Sequence, residues 1–534
     1  MSESPSGGNM STISRRKFLQ TLAVGSAAAA GFSCSGRDKS KGPPNLLVIM
    51  TDQQPVSTLG CYGNPLNPTP HLDRLAETGT RFTNFYIGAF PCSPSRATML
   101  TGCYPQRHGV TTNNVVLSDE IPSLGFLLRD AGRATAYFGK SHLGGYMYRN
   151  TPNRKPYQGR WFYRRVPDKT GFVYEQVEGG VGEDLPQLGF DTWAGGWKQY
   201  HEYLNEVGLG DLLNQHPIPG NHNDLPSGPN TEHRYSLLPA EHHMAAFFTQ
   251  KADQFIRSRR GSTQPFSLFL SYYGPHLPVA PPKPWDTKYT LEQCPLPSNF
   301  FDLLEGKPEH QRTNKVCYKL PDWSKDQFQD YIRRYYGYCA YLDTQIGQVL
   351  KTLSDTGLDQ NTIVIFTSDH GDMLAAHGMV YKMNRSGYQE LANVPFIIRI
   401  PGVTRPGSVV RSLSSSVDIF PTLIEMFGLP HIGGLHGKSF SKVLKWPESS
   451  FRERVFVHWA NDSFVTFDGR WKYALHWNEN VDELYDLEND PGELLNLWKN
   501  PRYKENVQQS RQAIIDWLYE TDHPYAALIE KDKG

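Results

Sequence analysis

Leu46-Leu47-Val48-Ile49-Met50-Thr51-Asp52-Gln53 is the stretch that decides the fold. Its first five residues form an unbroken apolar run without polar alternation, which describes a strand covered on both faces. The run ends on a carboxylate and a carboxamide. Thr362-Ile363-Val364-Ile365-Phe366-Thr367 repeats the pattern in β-branched residues and runs into Ser368-Asp369-His370. Ala134–Phe138, Phe266–Tyr272 and Pro395–Ile400 read as further strands. Between them lie helical segments: 71–79, Ile121–Ala131 with Pro122 in its first turn, and a long helix over Asp326–Ser354. Met244, Phe247, Phe248, Phe255 and Ile256 recur at helical spacing after His242. Alternation of helices with short apolar strands predicts an α/β domain whose central sheet is mostly parallel and flanked by helices. Polar motifs directly after the strands then fall where open α/β sheets bind their ligands.

The composition narrows the class of partner. Lys plus Arg and Asp plus Glu are both 54, so the chain carries no net charge and is not a general nucleic-acid binder. A length of 534 residues allows two or more domains. We expect a targeting segment over 1–40 and a catalytic domain over 41–440. Within the latter, 145–235 reads as a long insertion with little regular core. A small α+β domain with an antiparallel sheet should follow over 441–534. In that last part Val455–Trp459, Ser463–Phe467 and Trp471–His476 read as hairpin strands, with Asp468-Gly469 as a turn. Val507, Ile514 and Leu518 fit one face of a closing helix. At the other end Ser14-Arg15-Arg16-Lys17-Phe18-Leu19-Gln20 resembles a twin-arginine export signal. That resemblance implies a bacterial periplasmic or secreted protein. The Ala-rich stretch to Phe32 is too short for a membrane span, and Cys34 offers a site for a lipid anchor. With Cys34 and Cys92 set aside, five cysteines remain, enough for one disulfide whose partners stay open.

Cys92-Ser93-Pro94-Ser95-Arg96 places a thiol, two hydroxyls and a guanidinium around a proline. The arginine fork suits an oxyanion, and Ala97-Thr98-Met99-Leu100 could begin a helix whose N-terminal N–H groups favour anions. Asp52, Gln53, Asp369 and His370 offer oxygens suited to a hard cation and an imidazole suited to a transition metal. Gly139-Lys140-Ser141-His142-Leu143-Gly144, Gly274-Pro275-His276-Leu277-Pro278 and Lys382 add cations and imidazoles after other strands. On charge alone Lys351 competes with Lys382, and His377 reads as a solvated loop residue.

Taken in order, these segments resemble the formylglycine-dependent sulfatases of the alkaline-phosphatase-like superfamily. The resemblance runs from about residue 45 to about 500, fails over 145–235, and extends to Glu483-Leu484-Tyr485-Asp486-Leu487. It implies that Cys92 is converted to Cα-formylglycine by a formylglycine-generating enzyme. It further implies that Asp52, Gln53, Cys92, Asp369 and His370 hold Ca²⁺, with Mn²⁺ as the alternative. Arg96, Lys140 and Lys382 would hold sulfate oxygens, His142 would serve the elimination step, and His276 or Lys382 would protonate the leaving alcohol. Where this chain has Asp52-Gln53 and Asp369-His370, the family usually has Asp-Asp and Asp-Asn. That departure resembles the choline-sulfatase and phosphonate-monoester-hydrolase branch and many polysaccharide sulfatases. The expected activity is hydrolysis of a sulfate ester, most readily on a sulfated glycan. The alternatives are a phosphonate monoester or phosphodiester hydrolase and a small-molecule (aryl or choline) sulfatase. Trp161, Phe162, Tyr163, Trp193, Trp197, Tyr200 and Tyr203, with Arg160, Arg164 and Arg165, are candidates to line a glycan cleft. A binding relic with a dead site is the non-enzymatic rival, and the intact metal and cation positions speak against it.

Overall fold

A computed structural model describes residues 42–113, 115–118, 121–143, 162–168, 171–177, 188–195, 197–213, 236–313, 323–382, 387–459, 463–477 and 479–532. The export-signal motif and Cys34 lie outside these residues, as do Cys317 and the side chains of Arg160–Arg165. Eight strands form the main sheet: β1 Asn45–Asp52, β2 Thr80–Phe82, β3 Ala134–Gly139, β4 Thr192–Ala194, β5 Phe266–Pro275, β6 Thr362–Ser368, β7 Phe396–Arg399 and β8 Ser408–Val410. Their order is β8-β2-β7-β6-β1-β5-β3-β4. β1 lies between β5 and β6 and is parallel to both, with Val48 beside Phe269 and Ile365. Every residue of β1 is buried, as its unbroken apolar run requires. The strand at Phe396–Arg399 is the exception to the parallel pattern, since β7 runs antiparallel to both β6 and β2.

Seven helices matter here: α1 Pro70–Thr78, α2 Cys92–Thr101, α3 Leu124–Asp130, α4 Met244–Ser258, α5 Lys325–Asp355, α6 Ile419–Phe427 and α7 Lys504–Glu520. α5 is opened by a capping box in which Ser324 and Gln327 satisfy each other's backbone N–H groups. Its 31 residues extend about 46 Å at 1.5 Å per residue, long enough to carry Tyr331 and Tyr335 beneath the end of β1. α3 begins later than the sequence suggests. Ser123 is its N-cap, and Pro122 stands before the helix rather than in its first turn.

The segment 145–235 contains more regular structure than expected. Thr192–Ala194 extends the main sheet as its edge strand beside β3, Trp197–Glu206 is helical, and Phe162–Asp168 pairs with Gly171–Val177. Trp193 stacks on Tyr137 at 5.0 Å between ring centroids. Tyr200 is buried and packs against Phe247, and Tyr203 hydrogen-bonds His242 at 2.7 Å. Trp193 thus packs the insertion onto the sheet, and Tyr200 and Tyr203 pack it onto α4 and the turn before it.

The C-terminal strands are β9 Val455–Trp459, β10 Ser463–Phe467, β11 Trp471–His476 and β12 Glu483–Asp486, an antiparallel series packed against α7. The sheet continues into the main body, because Ala89–Phe90 pairs with β9 at His458 and Trp459. Phe90 stacks on Trp459 at 4.0 Å, so the C-terminal region braces the segment that leads directly into Cys92. Among the described residues Cys61, Cys92, Cys103, Cys294 and Cys339 are free thiols.

At the end of β3, Gly139 has φ +98°, and a Cβ there would stand 1.8 Å from the carbonyl oxygen of Ser271. Only glycine lets β3 and β5 close at the point from which Lys140 departs, where Lys140 N–H donates to that same oxygen at 2.9 Å. Gly139→Ala is expected to cost roughly 3 kcal/mol or more, read as a lower urea midpoint with an unchanged slope.

Candidate active site

The site lies at the C-terminal ends of β1, β3, β5 and β6, beside the N-terminus of α2. Asp52 ends β1, Asp369 and His370 follow β6, Lys140 and His142 follow β3, and His276 follows β5. The side chains of Asp52, Cys92, Asp369 and His370 are all buried, and one potential ligand atom from each lies within 4.8 Å of the others. Cys92 Sγ is 3.0 Å from His370 Nε2 and accepts from Lys382 Nζ at 3.0 Å. His142 is also hydrogen-bonded to Cys92, and its Nδ1 has no partner among the described residues. Lys382 Nζ reaches His276 Nε2 at 3.0 Å, and Tyr381 OH reaches the same nitrogen at 3.2 Å.

Arg96 occupies the centre and is 1% exposed. Its Nε donates to Asp369 Oδ2 at 2.7 Å and its Nη2 to Asp52 Oδ2 at 3.1 Å. Its Nη1 donates to the Lys140 carbonyl at 2.5 Å and to Ser271 Oγ at 2.8 Å. Protein groups thus use most of the guanidinium's N–H donors, and Arg96 bridges the carboxylates of Asp52 and Asp369. Lys140 Nζ pairs with Asp52 Oδ2. The Ser93 and Ser95 hydroxyls donate to the carbonyls of His142 and Asp369, both at 2.6 Å, locking α2 against two of the loops. The Ser93 N–H at the start of α2 donates to Asn113 Oδ1 at 3.0 Å.

Burial alone would push the Cys92 thiol up, but Lys140, Lys382 and His370 outweigh it and hold the thiol well below its usual range. Burial likewise opposes ionisation of Asp52, yet Lys140, His276 and Arg96 hold it below the ordinary carboxylate range. Burial and then Lys382 depress His276, which is neutral at pH 7. Its Nδ1 lies 2.8 Å from the Leu277 carbonyl, so Nδ1 carries the proton and Nε2 accepts. Burial and then Lys140 bring His142 down to about 4. Burial disfavours the charge on Lys382, but Cys92, Tyr381 and Asp52 raise its pKa nonetheless. The basic side chains of Arg96, Lys140 and Lys382 thus face the acidic side chains of Asp52, Asp369 and Cys92.

The donor set fits a hard divalent cation. Asp52 Oδ1 and Gln53 Oε1 are buried acceptors with no partner among the described residues. Buried acceptors are otherwise almost always satisfied, and both belong to residues the sequence singled out. His370 Nδ1 is 2.9 Å from the Gly371 carbonyl, which leaves Nε2, beside Cys92 Sγ, as its potential ligand atom.

All the candidate catalytic and metal-ligating residues cluster; Lys351 and His377 lie apart from them. Lys351 pairs with Asp355 on the outside of α5. His377 is buried rather than solvated: it hydrogen-bonds Asp302 Oδ2 at 2.6 Å and stacks on Tyr388 at 4.1 Å. Sequence reasoning missed Ser271, Asn113, Tyr381 and Asp372. Only Asp372 and Tyr381 carry a local signal, lying within or beside motifs already noted.

A family model for Sulfatase matches residues 44–429, and one for N-sulphoglucosamine sulphohydrolase, C-terminal, matches 376–518. The chain belongs to the sulfatase family. It is 30% identical over 495 residues to an uncharacterized sulfatase of Escherichia coli K12, covering 90% of this chain and 88% of that one. It is 26% identical to the delta 4,5-hexuronate-2-O-sulfatase of Bacteroides thetaiotaomicron, covering 93% of each. The phosphonate monoester hydrolase of Agrobacterium radiobacter has the same fold, with a TM-score of 0.68 at 24% identity over 90% of this chain and 96% of that one. This sulfatase is therefore a hydrolase of sulfate esters with an alkaline-phosphatase-like fold. No helix among its described residues is long and apolar enough to cross a membrane.

Proposed function

We propose that this sulfatase removes sulfate from a sulfated carbohydrate, with residue 92 working as Cα-formylglycine beside a divalent cation. The observation that carries the reading is the convergence of Cys92, two cationic lysines and two orphaned acceptor oxygens within one buried cluster. Asp52, Gln53, Asp369 and His370 would hold the cation. Their oxygens favour Ca²⁺, and the imidazole leaves Mn²⁺ as the alternative. When bound, the cation supplies charge that stabilises anionic oxygen. A formylglycine at position 92 supplies a hydrated aldehyde as nucleophile in place of a thiol.

The chain's own residues divide the remaining work. Lys140 and Lys382 bind the sulfate oxygens, where charge must be stabilised. Arg96 holds Asp52 and Asp369 in place. His142, neutral and in contact with residue 92, accepts a proton from it. Lys382 carries the proton that the leaving oxygen needs, because His276 is neutral and presents Nε2 as an acceptor.

The carbohydrate reading rests on the named substrate of the Bacteroides relative and on the C-terminal family match. The C-terminal strands support the site from behind, where Trp459 stacks on Phe90 and Phe90 meets the His370 ring edge-on. Ser14–Gln20 supports twin-arginine export, consistent with a scavenger of external glycans that a formylglycine-generating enzyme matures.

A panel of sulfated mono- and oligosaccharides, nitrophenyl sulfate, choline sulfate and a phosphonate monoester tests the reading. Sulfate release is expected to be at least about tenfold more efficient, in kcat/KM, on one sugar sulfate than on any other compound. A phosphonate ester turned over best would assign the chain to phosphoryl chemistry.

A further inference from the structure

Gln53 is constrained at every polar atom except one. Its backbone sits at φ +68°, in the left-handed region that a glutamine seldom adopts. Its N–H donates to Asp369 Oδ1 at 3.0 Å, and its carbonyl accepts from Tyr335 OH. Its Nε2 donates to Asp372 Oδ2 at 2.6 Å. Oε1 alone lacks a partner among the described residues, although it is buried.

Asp372 is itself fully buried and lies three residues beyond Asp369. Its Oδ2 also accepts from Tyr331 OH at 2.8 Å. Its Oδ1 accepts from the N–H groups of Leu374 at 2.8 Å and Tyr381 at 3.2 Å. The backbone N–H groups of Leu374 and Tyr381 and the Tyr331 hydroxyl all address Asp372 as an acceptor. The end of the Gln53 amide that faces it must therefore be the NH₂ group, and the oxygen is turned the other way.

We propose that Asp372 is a positioning residue that sets the flip of the Gln53 carboxamide, so that Oε1 is presented to the divalent cation. This rests on the metal reading proposed above and explains why an amide stands at position 53. A glutamate there would lose the N–H that meets Asp372 Oδ2 at 2.6 Å and set two buried acids against each other. Gln53 and Asp372 are thus a matched pair: amide in the ligand shell, carboxylate behind it. The same carboxylate pins the backbone that carries Tyr381 and Lys382.

The test is a double-mutant cycle on metal affinity. Chelator-stripped full-length protein is titrated with Ca²⁺ and Mn²⁺ in competition with an indicator dye. Asp372→Asn can reverse the donor–acceptor sense and release the amide, and it is expected to weaken binding at least about tenfold in the wild-type background. In a Gln53→Ala background the same change is expected to cost less than about twofold. A role through charge or general structure costs the same factor in both backgrounds, and that result overturns the proposal. If Asp372→Asn does not fold, the swap Gln53→Glu with Asp372→Asn decides. The carboxylate introduced at position 53 can accept from the carboxamide introduced at position 372 and still offer an oxygen, so binding within about threefold of wild type is expected. Binding as weak as in Gln53→Ala overturns the proposal. Wild-type protein that takes up neither cation overturns the metal reading itself, which separates that failure from failure of the Asp372 role.

Discussion

Cys92→Ala will abolish sulfate release, lowering kcat by roughly 10⁴–10⁶-fold, the range seen when a nucleophile is removed from an otherwise intact site. The size of the effect follows from the position. Residue 92 is the nucleophile precursor that contacts Lys382, His370 and His142 together. The fold should survive. Lys382 keeps His276 as a partner at 3.0 Å and His370 keeps the Gly371 carbonyl, so neither buried group is stranded. Far-ultraviolet circular dichroism and the thermal midpoint of the variant should stay close to wild type. Sulfate release above about 1% of wild type by a pure variant would contradict the assignment.

Lys382→Ala should lower kcat/KM on a sugar sulfate by about 10²–10³-fold, the loss expected for a positioned proton donor that also stabilises charge. The loss should shrink to about tenfold on nitrophenyl sulfate, whose leaving oxygen needs little protonation. His276 is not expected to stand in, because its Nδ1 proton is held by the Leu277 carbonyl and its Nε2 still accepts from the Tyr381 hydroxyl. Lys382→Arg is not expected to rescue, since a wider planar guanidinium does not place its N–H donors where the compact ammonium does. An equal loss on both leaving groups would leave Lys382 as a sulfate clamp alone.

Most of the framework can be read in the chain. β1 and β6 are visible because burial on both faces demands unbroken apolar runs, and α5 because 31 residues repeat a helical pattern. The candidate ligands and charged groups stand directly after strands or inside compact motifs, so Asp52, Gln53, Cys92, Lys140 and Asp369 are legible one segment at a time. What eludes the sequence is partnership across distance. Arg96 looks like an anion anchor because the two carboxylates that occupy it lie 44 and 273 positions away. Tyr331 and Tyr335 look like core residues of a long helix, which they also are. His377 looks like a loop residue because the Asp302 and Tyr388 that bury it are unrelated to it in sequence. The strand at Thr192–Ala194 is only three residues long, too short for periodicity to show.

The central claim is that residue 92 of the working enzyme is an aldehyde. The direct measurement is the mass of the proteolytic peptide that contains it, taken on active protein with hydrazide capture in parallel. We predict a peptide lighter than the thiol form and captured by hydrazide, in a fraction that rises with specific activity across preparations. Fully active protein in which this peptide carries only the cysteine thiol would contradict the account.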